Sequence, residues 1–156
     1  MTGVRKPPKN AEKPDMAQYV LDASALLALI QAEPGAERIT QALEQGECVV
    51  SAVNLSEAVT KLILNGLPDE QAESVVLGIP AEIVPCDGAI AVKAGRLTTI
   101  GKPLGLSLGD RICLATGQAH GGIVLTTEQV WRKISLPGIQ IEVVREPLSP
   151  AAPTSK

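Results

Sequence analysis

Residues 19–25 read Tyr-Val-Leu-Asp-Ala-Ser-Ala, and this stretch contains the pattern from which the fold is predicted. The apolar run at 19–21 is short and is typical of a buried strand. Asp22 follows this strand directly, and a helix is predicted over 24–32, where Leu26, Leu27 and Ile30 are apolar. A buried strand that leads at once into a helix is the repeating unit of an α/β sheet.

The same alternation continues along most of the chain. Four further strands are predicted at 48–50, 82–84, 123–125 and 139–144. Helices are predicted between them at 34–44, 54–65, 68–78, 87–100, 107–119 and 127–132, with the helix at 87–100 ended by Gly101-Lys102-Pro103. This order of elements predicts an α/β fold with a parallel sheet covered by helices on both faces.

The composition agrees with that fold class. The chain has 156 residues, with one Trp, one Tyr and no Phe, so its core must be built from aliphatic side chains. Such a core suits a buried parallel sheet and fits poorly with a β-sandwich. The length is that of one domain, predicted at 17–146. The Pro- and Lys-rich residues 1–16 predict a disordered extension, and 147–156 predict a flexible tail.

Charge and cysteine content restrict the function further. The formal net charge is −3, which argues against a general nucleic-acid coat because phosphate contacts need Lys or Arg. A nuclease remains allowed, since bound metal neutralises its carboxylates. Cys48, Cys86 and Cys113 are odd in number and lack a C-x-x-C spacing, so we expect buried free thiols in a reducing cytoplasm. No apolar stretch approaches the ~18 residues that span a membrane, and no membrane partner is expected.

Four acidic residues lie at strand ends or helix starts, and they are the strongest functional signal. They are Asp22, Glu57, Asp110 and Glu128. In a parallel sheet, strand ends and the starts of the following helices share one edge, which is where open α/β folds place their sites. Carboxylates within ~4–6 Å repel one another when ionised. A bound divalent cation relieves that repulsion, so the pattern predicts a hard-metal site.

Each acid also has a structural alternative. Asn54-x-x-Glu57 and Ser107-x-x-Asp110 both have the spacing of a capping box, Asp22 is a candidate N-cap, and Glu128 suits the positive end of a short helix. Capping alone would leave four like charges at one sheet edge, which favours the metal-site interpretation.

Three nearby residues are candidate supporting groups. Ser24 is close enough to reach the site or to cap its helix, and Thr126 can orient a water or simply end a strand. Arg111 follows Asp110 on another face of its helix, where it can contact phosphate or form a salt bridge.

Several other chemistries lack their motifs. No Gly-x-Gly-x-x-Gly follows the first strand, and no Gly-Lys-Ser/Thr phosphate loop is present. Gly-x-Ser-x-Gly is also absent, and a single histidine, His120, leaves a serine triad little to use. Dinucleotide binding, P-loop chemistry and serine hydrolysis are therefore not predicted.

Four acidic motifs follow one another in order along the chain. They are Leu-Asp-Ala-Ser-Ala at 21–25, Asn-Leu-Ser-Glu at 54–57, Ser-Leu-Gly-Asp-Arg-Ile-Cys-Leu-Ala at 107–115 and Thr-Thr-Glu-Gln-Val-Trp at 126–131. Together they resemble the motifs of PIN domains over about residues 18–146, and the third and fourth look most like the ribonuclease toxins of bacterial VapBC toxin–antitoxin pairs.

The resemblance implies a fold and an activity. The fold is a PIN-like three-layer arrangement with a five-stranded parallel sheet in the order 3-2-1-4-5. The activity is metal-dependent endoribonuclease cleavage, with Asp22 and Asp110 as the principal Mg²⁺ (or Mn²⁺) ligands. Glu57 and Glu128 would complete the acidic pocket, although the family usually carries aspartate at the position of Glu128.

The resemblance also implies partners. Toxins of this kind are typically homodimers that a cognate antitoxin holds inactive, so an RNA substrate, a second copy and an antitoxin are expected. The predicted helical hairpin at 54–78 offers apolar surface for one of these proteins. Two alternatives stay open: a housekeeping RNA-processing nuclease with the same site, and a non-catalytic PIN-like binding module.

Overall fold

The structure is a computed structural model that describes residues 18–147. The predicted extension at 1–16 and the predicted tail beyond residue 147 lie outside the described residues. Within that range, no helix combines the length and apolar character needed to cross a membrane.

Five parallel strands form one sheet in the order β3-β2-β1-β4-β5. The sheet order and the parallel pairing confirm the predicted fold class. The central strand β1 pairs with β2 on one side and with β4 on the other, where Leu21 lies opposite Leu125. The strands are β1 (Gln18–Leu21), β2 (Glu47–Ser51), β3 (Glu82–Val84), β4 (Ile123–Thr126) and β5 (Gln140–Val143).

Seven α-helices and one 3-10 helix connect the strands of residues 18–147. Four of the helices begin directly after a side chain that caps their first turn: Asp22 before α1, Ser51 before α3, Asp87 before α5 and Ser107 before α7. The α-helices are α1 (Ala23–Ile30), α2 (Ala36–Gln45), α3 (Ala52–Leu64), α4 (Asp69–Leu77), α5 (Gly88–Arg96), α6 (Thr98–Leu104) and α7 (Leu108–His120), and the 3-10 helix is Gln129–Lys133.

The sheet separates two hydrophobic cores, because successive residues of a strand face opposite sides. Tyr19 and Leu21 of β1 belong to the core covered by α1 to α4. Val20, between them, belongs to the core covered by α5 and α7, which also buries Trp131 of the 3-10 helix. This is the predicted arrangement of helices on both faces. The three cysteines are free; Cys48 and Cys113 are buried and Cys86 is only partly so.

The helical region after β3 differs from the sequence-based expectation. The helix predicted over 87–100 is broken at Leu97, and α6 continues through Gly101-Lys102-Pro103, where we had predicted the end. Pro103 lies in the last turn of α6, where its missing N–H removes a single helical hydrogen bond. The helix ends at Gly105, which adopts the left-handed conformation with φ +68°.

Candidate active site

The carboxyl edge of the sheet holds a polar cavity of about 460 Å³. The end of β1 supplies Asp22 and the residues after β4 supply Glu128, while the second turn of α3 supplies Glu57 and the first turn of α7 supplies Asp110. All four predicted acids therefore line one cavity. Its other lining residues include Ser24, Asn54, Lys61, Ser107 and Thr127.

Asp22 both caps a helix and faces the cavity. Its Oδ1 accepts hydrogen bonds from the Ala25 backbone N–H at 2.8 Å and from Ser24 Oγ at 2.7 Å. Its Oδ2 accepts from Thr126 Oγ1 at 2.6 Å. The residue is only 3% exposed. The capping and site interpretations of Asp22 are thus compatible, since the cap orients the carboxylate at the cavity wall.

Burial raises the pKa of Asp22 to about 6. Hydrogen bonds from Thr126, Ser24 and the Ala25 backbone oppose this shift, and the charge of Asp110 adds slightly to it. Repulsion between carboxylates, from which the metal site was predicted, is thus the smaller cause of the raised pKa, and burial is the larger. At neutral pH Asp22 is mostly ionised in a place that disfavours its charge, and a cation nearby would stabilise it.

The two candidate hydroxyls, Ser24 and Thr126, hold the end of β4 against the start of α1. Ser24 Oγ lies 3.3 Å from Thr126 Oγ1 and accepts from the Thr127 backbone N–H at 3.0 Å. Thr126 Oγ1 accepts from the Glu128 backbone N–H at 3.1 Å. Thr126 is fully buried and does not line the cavity, so its contact with the site passes through Asp22 and Glu128.

Asp110 belongs to a complete capping box, as its spacing from Ser107 predicted. The Ser107 backbone N–H donates to Asp110 Oδ2 at 2.9 Å, and the Asp110 N–H donates to Ser107 Oγ at 3.1 Å. Oδ1 makes no hydrogen bond with the described residues. One carboxylate oxygen of Asp110 thus fixes the side chain and the other is available to a ligand.

Asn54 does not cap a helix, which corrects one sequence-based alternative. Helix α3 begins at Ala52 with Ser51 as its N-cap, so Asn54-x-x-Glu57 lies inside the helix. Asn54 is buried, and its Nδ2 donates to Glu57 Oε1 at 2.7 Å. The i, i+3 spacing places both side chains on one helix face, directed toward the cavity.

Arg111 is not part of the site. Its Nη1 donates to the Ala94 carbonyl oxygen at 3.0 Å, and its alkyl chain lies against Gly101 of α6. One residue along a helix rotates the side chain by about 100°, which turns Arg111 away from the face that carries Asp110. Arg111 does not line the cavity, and it forms no salt bridge with another residue of 18–147.

Two charged residues of the cavity wall were not predicted from the sequence. Lys61 lies one helical turn after Glu57, so the i, i+4 spacing on α3 could have indicated it. Glu33 follows α1 and is paired with Arg145, whose Nη2 lies 2.9 Å from Glu33 Oε2. No local pattern marks Glu33, because its approach to the cavity depends on the loop after the helix.

The donor set fits a hard divalent cation. The polar atoms of the four acids are all oxygens, which Mg²⁺ and Mn²⁺ prefer. Within residues 18–147, no three His, Cys, Asp or Glu side chains come close enough to hold a metal ion among them. Mg²⁺ normally keeps several waters and uses one or two carboxylates, so a hydrated ion does not need three acids in direct contact with it. Burial raises the pKa of the neighbouring Cys113 thiol, which therefore stays protonated.

Most of the chain matches one known protein family. The PIN domain family profile matches residues 19–136. The chain therefore belongs to the PIN-domain family, as its four motifs suggested. Among curated protein sequences, none matches closely enough to count as a relative.

Solved structures share the fold at low sequence identity. VapBC2 from Rickettsia felis, bound to a DNA fragment from its promoter, is 18% identical with a TM-score of 0.63, covering 80% of this chain and 97% of that one. DNA-bound VapBC from Salmonella typhimurium is 21% identical with a TM-score of 0.61, covering 81% and 98%. VapC20 from Mycobacterium tuberculosis, described as a toxin that cleaves the sarcin–ricin loop, is 14% identical with a TM-score of 0.59, covering 71% and 90%.

Proposed function

We propose that this protein is a Mg²⁺- or Mn²⁺-dependent endoribonuclease and the toxin of a VapBC-type toxin–antitoxin pair. The observation that carries the proposal is that four carboxylates line one cavity, among them the buried Asp22, whose pKa burial raises to about 6. The toxin–antitoxin complexes among the structural neighbours support the choice of class. The toxin that cleaves the sarcin–ricin loop supports RNA as the substrate.

Asp22 and Asp110 would hold the metal, and Glu57 and Glu128 would complete the acidic pocket. When bound, the metal supplies charge stabilisation for an in-line attack of water on a phosphodiester. Asp22 contributes a carboxylate whose orientation is set by three hydrogen bonds, and Asp110 contributes Oδ1, the oxygen that its capping box leaves free. Glu57 and Glu128, which line the same cavity, would accept the proton of the attacking water.

One positively charged side chain, that of Lys61, also lines the cavity. Lys61 lies on the wall formed by α3, and a second, more apolar depression beside it shares both Glu57 and Lys61 with the acidic cavity. A lysine at that boundary provides a contact for an RNA phosphate, which the acidic cavity alone would repel. Cleavage in single-stranded or loop RNA follows from the need to bend the scissile bond into the cavity.

Partner binding is proposed on the outer face of the hairpin formed by α3 and α4. Among the apolar residues of this hairpin, Leu62 and Val76 are buried in the core. Leu64, Val75 and Leu77 are exposed, with Leu64 at 79%. We propose that a second copy of the chain or an antitoxin helix covers these three, and that the complex acts in the cytoplasm.

Cleavage of a pool of structured RNAs, with Mg²⁺, with Mn²⁺ and with EDTA, tests the function. Asp22→Asn and Asp110→Asn are expected to abolish metal-dependent cleavage. Asp87→Asn is the matched control, because Asp87 caps α5 as Asp22 caps α1 but lies outside the cavity. Cleavage that persists in EDTA, or that survives both site substitutions, would contradict the proposal.

A further inference from the structure

Asn54 links two helices beneath the carboxylate of Glu57. Its Nδ2 donates to Glu57 Oε1 at 2.7 Å and to the Gly109 carbonyl oxygen at 3.1 Å. Because Asn54 is on α3 and Gly109 is on α7, one amide group joins the helices that carry Glu57 and Asp110. Asn54 is 1% exposed, so water competes little for these bonds.

Gly109 leaves the space that the Glu57 carboxylate fills. A Cβ built on Gly109 would lie 2.5 Å from Glu57 Cδ and 2.6 Å from Oε2, and closer still to Oε1. No real Cβ approaches a neighbour that closely, so any side chain at this position must displace Glu57. The glutamate at 57 is thus long enough to place its carboxylate in the space that a side chain at 109 would occupy.

The Asn54 amide orients the Glu57 carboxylate but contributes little to the stability of the fold. Its Oδ1 is buried and has no hydrogen-bond partner among the described residues. An unpaired buried oxygen is destabilising, and an apolar residue of similar size would avoid it. The feature that the apolar residue would lack is the pair of N–H donors, which are directed at Glu57 and Gly109.

We propose that Asn54 and Gly109 are positioning residues that hold the Glu57 carboxylate at the wall of the active-site cavity, an inference that rests on the proposed nuclease function. Asp22 and Asp110 are held by caps on their own helices. Glu57 has a longer, more flexible side chain, and its one hydrogen bond with the described residues comes from Asn54. The contacts of Asn54 and Glu57 with Gly109 of α7 therefore fix the position of the Glu57 carboxylate, which helix α3 alone does not determine.

A comparison of two glycine substitutions tests the contact. Gly109→Ala is expected to lower kcat by about 100-fold, the effect of a catalytic group misplaced by about 1 Å, with little change in KM. Gly95→Ala is the matched control, since Gly95 is a helical glycine of α5 with nothing within 4 Å of an added Cβ. It should leave kcat unchanged and raise the melting temperature by a few degrees through helix propensity.

Shortening Glu57 should compensate for the added methyl group. Glu57→Asp withdraws the carboxylate from the space above residue 109, so Gly109→Ala should lower kcat by a smaller factor in the Glu57→Asp background than in the wild type. The melting temperature should show the same coupling, because the alanine gives its full helix-propensity gain only when the collision with the Glu57 carboxylate is absent. Asn54→Leu should keep or raise the melting temperature while lowering kcat, which a packing role alone would not produce.

Three outcomes would overturn the inference. They are Gly109→Ala with the kcat of Gly95→Ala, a double variant whose loss is the product of the two single losses, and Asn54→Leu with wild-type kcat. If the wild-type protein shows no metal-dependent cleavage, the proposed nuclease function fails instead. The melting temperatures of the glycine variants, with and without Glu57→Asp, would still decide whether the contact positions Glu57.

Discussion

Replacing Asp22 by asparagine should stabilise the metal-free protein, and the gain should grow with pH. Burial raises the pKa of Asp22 from 3.8 to about 6 in the folded state. A raised folded-state pKa means that the stability contribution is fully present below pH 3.8 and is lost as the pH rises through 6. Asparagine stays neutral throughout, so the variant avoids this loss.

The magnitude follows from the size of the shift. A difference of about two pKa units corresponds to about 3 kcal/mol of unfolding free energy at pH 7. In a domain of this size that is a rise in melting temperature of roughly 6–12 °C. The hydrogen bonds need not be lost, because the asparagine oxygen can keep Ala25 N and Ser24 Oγ while its amide donates to Thr126 Oγ1.

Thermal melts in EDTA between pH 4 and pH 8 provide the assay. Wild type and Asp22→Asn should melt at similar temperatures near pH 4 and separate as the pH rises. Asp87→Asn controls for the loss of a capping carboxylate, since Asp87 is an exposed cap. A parallel pH dependence for wild type and Asp22→Asn, or a lower melting temperature for Asp22→Asn at pH 7, would refute the reasoning.

Four further predictions concern the metal, the hydroxyl network, the substrate and the partner surface. Mg²⁺ or Mn²⁺ at a hundred times its dissociation constant should stabilise the wild type by about 2.7 kcal/mol, and an equal shift in Asp22→Asn/Asp110→Asn would place the ion elsewhere. Thr126→Val removes a hydrogen bond that lowers the pKa of Asp22, so the acidic limb of the cleavage pH profile should move to higher pH; an unmoved limb would contradict this. Lys61→Gln should raise KM for RNA and reduce the salt dependence of binding by about one unit of slope, while Lys61→Arg should not. Leu64→Glu should weaken self-association in light scattering, and a wild-type chain that is monomeric at tens of micromolar would contradict the proposed homodimer.

The parts of the fold that depend on local pattern were predicted correctly. Short apolar runs marked the strands, and Ser107 and Asp87 marked helix starts through their capping side chains. The start of α3 was placed too late because Ser51 and Asn54 are both good N-cap residues three positions apart. The choice between them depends on where β2 ends. The sequence does not mark that point, because α3 follows β2 without an intervening loop.

The gathering of the four acids around one cavity was predictable, because parallel topology brings strand ends and helix starts to one edge of the sheet. The internal geometry of the site was not, since it depends on contacts between distant parts of the chain. The fit between Gly109 and Glu57 is one example, and the approach of Glu33 to the cavity is another. Arg111 shows the converse: adjacency to Asp110 in sequence places it on a different helix face.

The near absence of aromatic residues gives this protein an intrinsic optical probe on each face of the sheet. Trp131, 1% exposed, lies in the core covered by α5 and α7, three positions after Glu128 in the chain. Tyr19 lies in the opposite core, where the Arg38 guanidinium stands 5.2 Å from its ring centroid. Tryptophan emission excited at long wavelength therefore comes from a single position near the acidic edge. Changes on that face can be followed without a label, separately from changes around Tyr19.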